Sequence, residues 1–164
     1  MPPLTAATKT PQVLGPTDHA ATNEEVVRRF YDGYINGEGA VPLEDIVSVD
    51  FVDHVPMLFP DQPSRGPTAM EWLIDLVRDA FPDLGVTVHE IIAKEDTVVA
   101  RVTWQGTHRG EVFGIAPTHQ PIRVTGLDMI RLTEGLFVEH WGQLDFISML
   151  DQLNYLPSFE ESMS

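Results

Sequence analysis

Three residues on three successive strand-like segments carry the chemistry available to this chain: His108, Asp128 and His140. Segments 97–108, 120–132 and 136–146 alternate in polarity, and neighbouring strand residues point to opposite faces of a sheet. In 97–108 the apolar set is Val98, Ala100, Val102 and Trp104, which carries His108 inward with it. In 120–132 the set is Val124, Gly126, Ile130 and Leu132, so Asp128 is an inward carboxylate. In 136–146 the more apolar set is Leu136, Val138, His140, Gly142 and Leu144, leaving Trp141 outside, where it could cover a subunit contact. An unpaired buried carboxylate is costly, so these groups are expected to meet in one cavity.

Histidine titrates near neutrality, and a neighbouring carboxylate fixes its tautomer and raises its pKa. Asp128 with His140 or His108 could take a proton from beside a carbonyl or give one to an oxygen. His54 at the mouth, with Trp104, Tyr34, Phe113 and Met129, is assigned to substrate contacts. His19, His89 and His119 are read as structural. A metal is the rival use of His and Asp, but no His-x-His or His-x-x-x-His pair occurs in this region, so none is assigned. There is no Gly-x-Ser-x-Gly nucleophile motif and no Gly-rich phosphate loop. No cofactor is expected.

Such a pair suits acid/base chemistry on an apolar ligand. One alternative is a binding domain without catalysis. Another is an epoxide hydrolase using Asp128, Arg131 and Asp145, although alternation puts Arg131 and Asp145 on the face opposite Asp128.

The elements that must position these groups are legible in outline. Thr22-Asn23-Glu24-Glu25 has capping-box spacing, followed by an apolar helical face through Val26, Val27, Phe30, Tyr31, Tyr34 and Ile35. A short helix near 42–48 and an extended piece, FVDHVP, come next. Thr68-Ala69-Met70-Glu71 is a second capping box, and Pro82 ends its helix. Strands are expected at 84–94, 97–108, 120–132 and 136–146, joined by hairpin-length connections, with a closing helical turn after Phe146. The fold class is α+β: a cone-shaped, curved antiparallel sheet packed on N-terminal helices. Residues 1–21 and 157–164 read as tails around one domain, 22–156.

A net charge of −15 argues against nucleic acid and anionic membranes as partners. Hydrophobic residues at 43% suit a packed core. The absence of cysteine suits the cytoplasm and excludes disulfides and thiolate sites. No apolar run is long enough to span a bilayer.

FPD at 81–83, GTHRGEVFGIAPT at 106–118, VTGLDMIRLTEG at 124–135 and EHWGQLD at 139–145 together resemble the SnoaL-like polyketide cyclases of the nuclear transport factor 2-like superfamily. The resemblance runs from about residue 23 to 155. It implies a cone-like α+β barrel, no cofactor, homodimers or larger homo-oligomers, and acid/base closure of polyketide rings by aldol condensation; with the inward polar trio, the function it implies here is a cofactor-independent cyclase or isomerase of an apolar, oxygenated secondary metabolite of polyketide or terpenoid type. It also implies that the usual acid, an aspartate in the last strand, is replaced here by Gly142. The position matched to Asp128 is a histidine in some members, so a rearranged pair built on Asp128 is implied instead.

Overall fold

The computed structural model describes residues 16–39, 41–55 and 63–156. Helix α1 is Pro16–Arg29, which starts before the expected cap at Thr22. Proline suits the first helical position, where its missing N–H costs nothing. Residues 16–21 thus belong to a helix, not to the expected tail, whose remainder lies outside the described residues, as does 157–164. The helix widens into a π-helical stretch, Phe30–Ile35, marked by Asn36 N–H donating to Tyr31 O, five residues back, at 2.9 Å. π-helical turns are rare and concentrate at functional sites. Its end is held from two sides. The Arg78 guanidinium donates to the carbonyls of Tyr34 and Ile35. The Asn36 amide pairs with both backbone groups of Val86, each bond 2.8 Å long.

Five strands follow: β1 (Val47–Asp53), β2 (Gly85–Lys94), β3 (Thr97–Thr107), β4 (Pro121–Thr133) and β5 (Leu136–Leu144). Helix α2 (Pro67–Ala80) lies between β1 and β2, and α3 (Phe146–Gln152) follows β5. Strands β2 to β5 form the expected antiparallel meander. Of the expected extended piece FVDHVP, the first three residues are the end of β1, which pairs parallel to β5 and sets Asp53 beside His140; His54 and Val55 follow the strand, and Pro56 lies outside the described residues. The sheet is therefore mixed, in the order β1-β5-β4-β3-β2, and open, with β1 and β2 as its edges. The short helix expected near 42–48 is a single 3-10 turn, Leu43–Asp45. Helix α2 begins at Pro67, ahead of the expected box, because Gly66 turns the chain at φ 68.

Alternation holds without a break along β4, where Ile122, Val124, Gly126, Asp128, Ile130 and Leu132 are all buried. It fails in β5. Arg131 pairs with Glu139 but Leu132 pairs with Phe137, so Val138 is an extra, bulged residue. Phe137 and His140 are both turned inward, three residues apart, and the expected inward positions of Leu136 and Val138 are corrected accordingly. A second bulge at His89 in β2 lets its ring bond Thr103 at 2.7 Å and cover it, so Thr103 is buried on a face expected to be open.

Two apolar clusters fill the interior. One joins α1, the π-helical stretch and α2 to the sheet; the other lies under the 108–120 connection and α3. The cavity described below is walled by both. Asn36→Ala should leave both Val86 backbone groups without partners and loosen the stretch that carries Tyr31. Urea denaturation is expected to show a loss of about 1–3 kcal/mol.

Candidate active site

A cavity of about 480 Å³ opens between the helices and the inner face of the sheet. That lies within the range of small-molecule sites. Its walls are almost wholly apolar, with Trp104 and Phe113 among them. Polar groups gather in one corner, where Tyr31, Asp128, His140 and the backbone of Gly142 meet.

That corner is one hydrogen-bonded chain. Asp53 Oδ1 accepts from the Val55 N–H at 3.0 Å and from His140 Nδ1 at 3.1 Å. His140 Nε2 donates to Asp128 Oδ1 at 3.2 Å, and the Tyr31 hydroxyl donates to Asp128 Oδ2 at 2.6 Å. Each link has a structural cause. Parallel pairing sets Asp53 next to His140. The bulge at Val138 turns His140 inward. Register places Asp128 opposite Gly142, so its carboxylate leans diagonally to His140, two residues along the same face. The π-helical stretch sets Tyr31 over Asp128.

Burial alone would push His140 toward the neutral form. Hydrogen bonds to Asp128 and Asp53, reinforced by their charges, more than offset it and raise its pKa to about 9. His140 is thus an imidazolium at neutral pH, flanked by two carboxylates. Burial, followed by the neighbouring Asp128, holds the Tyr31 hydroxyl well above its ordinary value, so it remains a donor.

The sequence assignments divide. Asp128 and His140 meet as a bonded pair, and Trp104 and Phe113 line the cavity. His108 is inward and fully buried, but it does not reach the cavity wall. Its Nδ1 accepts from the Thr118 N–H at 3.2 Å, closing the base of the 109–118 loop, and its ring packs on Phe81. Desolvation holds its pKa below the ordinary value, which suits a neutral, loop-holding imidazole. His54 is outside the cavity, bonded to Glu139 and stacked on Trp141 at 4.7 Å. Tyr34 faces away too, with Arg78 over its ring at 5.0 Å. Met129, next to an inward Asp128, is on the outer face. The epoxide-opening trio does not assemble: Arg131 pairs with Glu139, and Asp145 caps α3 by accepting from Ser148.

Two members of the corner, Asp53 and Tyr31, were not assigned from sequence. Period-two alternation from the buried Phe51 points to Asp53 instead of His54, and that signal was available. For Tyr31 only the π-helical geometry decides. Among the described residues no group of His, Asp and Glu is arranged to hold a metal ion, and no helix is long and apolar enough to cross a membrane.

Since the pKa of His140 is raised on folding, its contribution to stability is complete below about pH 6.5 and is lost as pH rises through about 9. Urea midpoints are expected to fall over that interval, with a total on the order of 3 kcal/mol. A His140→Gln variant should lose most of that slope.

The model of the SnoaL-like polyketide cyclases matches residues 25–153. Among solved structures, TsrD from Streptomyces laurentii is 25% identical, with a TM-score of 0.71, covering 83% of this chain and 97% of its own. IdmH from Streptomyces antibioticus, provisionally named a polyketide cyclase, is 29% identical, with a TM-score of 0.70, covering 80% and 98%. AclR from Streptomyces galilaeus, provisionally named a hydroxylase, is 27% identical, with a TM-score of 0.70, covering 84% and 99%. No curated relative matches the sequence. With the family model covering most of its length and these folds superposing on its own, the chain belongs to the SnoaL-like polyketide cyclase family.

Proposed function

We propose that the protein is a cofactor-independent acid/base catalyst that closes or isomerises an apolar, oxygenated metabolite of polyketide or terpenoid type. The observation that carries this reading is the meeting of Tyr31, Asp128 and His140 in one corner of a largely apolar cavity. Apolar walls hold the substrate, while the corner moves the proton. The relatives' names divide between cyclase and hydroxylase, so the reaction is argued from the corner and not from the fold.

The roles follow from the bonding. Asp128 is the base, since its carboxylate meets the cavity. The His140 imidazolium stabilises the negative charge that grows on the substrate as the proton leaves, and low polarity nearby strengthens that effect. Tyr31 fixes the far oxygen of Asp128. Asp53 acts as a positioning residue that keeps His140 charged and oriented. Epoxide hydrolysis finds less support: two aspartates are bridged by a cation, but Asp53 sits behind His140 and offers the cavity no second acid.

Asp128→Asn is expected to lower kcat/KM on neutral polyketide-like ketones by about 100-fold or more, and Tyr31→Phe by about 10-fold, with circular dichroism unchanged. Undiminished turnover by Asp128→Asn would overturn the assignment. We also propose self-association through the outer face of the sheet, where Leu127 and Met129 are exposed beside Trp141. Sedimentation should give a dimer or larger species, and Leu127→Glu should shift it toward monomer.

A further inference from the structure

We infer that His54 is a positioning residue: clamped on the outer face of the sheet, it holds Asp53 against His140 on the inner face. The inference rests on the acid/base reading above and adds a member to its machinery. Asp53 ends β1 and His54 follows it, and successive side chains of an extended chain point to opposite faces. Inward, Asp53 Oδ1 meets His140 Nδ1 at 3.1 Å. Outward, the His54 ring lies nearly parallel to Trp141, with 4.7 Å between centroids and 7° between planes. Its Nε2 bonds Glu139 Oε1 at 3.1 Å. Glu139, His140 and Trp141 are consecutive in β5, so the outer contacts of His54 flank the residue that Asp53 meets inside.

The pairing of β1 with β5 needs this support. After a register break it consists of Val52 on Glu139 and Asp53 on His140, at an edge of the sheet. Strand ends held by so few bonds open readily. On the near side, Asp53 N–H donates to Ser64 O at 2.9 Å. On the far side, His54 N–H donates to His140 O at 2.8 Å, and the Asp53 carboxylate accepts from Val55 N–H at 3.0 Å. His54 is thus the middle residue of a turn in which an aspartate bonds the backbone N–H two residues on. Fixing His54 fixes the turn that presents the carboxylate.

The platform under His54 is held in its own right. The Arg131 guanidinium on β4 lies 5.3 Å from the centre of the Trp141 ring and pairs with Glu139. Without the His54 ring on that platform, the turn is free to swing and to carry the Asp53 carboxylate off Nδ1. The histidine expected at the cavity mouth therefore acts from behind the corner, through Asp53 and without touching substrate.

The titration midpoint of His140, followed by the NMR shift of its Hε1 in the full chain, reads the Asp53 contact directly. His54→Ala keeps the backbone bond and removes the ring, and it is expected to lower that midpoint by about one pH unit. α-Tetralone, an apolar bicyclic ketone, is the probe of turnover, read as deuterium gain at its α-carbon in heavy water. The variant should lower kcat by about 10-fold with KM unchanged, since no cavity wall is altered. His54→Phe, which keeps a ring on Trp141, is expected to recover both. An unmoved midpoint in His54→Ala overturns the clamp. So does a rise in KM at constant kcat, which would show that His54 touches substrate, and so does a His54→Phe variant no better than alanine. If His54→Ala does not fold, Trp141→Leu removes the same stack from the other strand and must lower the midpoint likewise. A lowered midpoint with undiminished exchange, or a wild type that exchanges nothing, overturns the acid/base reading alone.

Discussion

A buried imidazolium needs its counter-charges held in place, and this fold is arranged around meeting that need at His140. The effective cost of removing an ion from water is several kcal/mol, recovered only when partners and hydrogen bonds are nearly ideal. Here both ring nitrogens donate to carboxylates, and each carboxylate takes a second donor: Val55 N–H on Asp53, the Tyr31 hydroxyl on Asp128. Such a cluster contributes more to uniqueness of placement than to net stability. It ties β1, β5, β4 and the π-helical stretch to one another at a single point. None of the four can shift without leaving a charge or a lone pair unpaired.

Two irregularities make that point possible. Without the bulge at Val138, period-two alternation could not turn both Phe137 and His140 toward the interior, and the core would lose one of them. Without the π-helical widening, Tyr31 and Tyr34 would share one helical face, as the sequence suggests. Instead Tyr31 is buried on Asp128 while Tyr34 packs under Arg78. Both departures sit within reach of the corner, as expected where regular geometry has yielded to a functional demand.

Much of this was legible in the sequence, for identifiable reasons. Strand β4 is buried on one face along its length, so Asp128 could be placed from polarity alone. Met129 followed from the same pleat as an outward residue, and assigning it to the cavity ignored that pleat. Asp53 escaped because a parallel partner far along the chain leaves no local signature, and because histidine type drew attention to His54. His108 illustrates a different limit. Alternation turned it inward correctly, but the interior is divided between two clusters, and residue pattern does not say which one a strand end will join.

Under the proposed acid/base function, the division between apolar walls and a charged corner also separates two kinds of specificity. Contacts along the walls act on the bound substrate and the transition state alike, so they govern which molecule enters and how tightly it is held. The corner acts on charge that appears only during proton transfer, so it governs rate. Substitutions among wall residues can therefore alter substrate preference without touching the chemistry. A change at Asp128, His140 or Tyr31 alters the chemistry without needing a new fold. Gly142 sits where wall and corner meet: a β-carbon there would stand 3.0 Å from Asp128 Oδ1 and 3.1 Å from His140 Cε1, so the missing side chain leaves the charged pair its room.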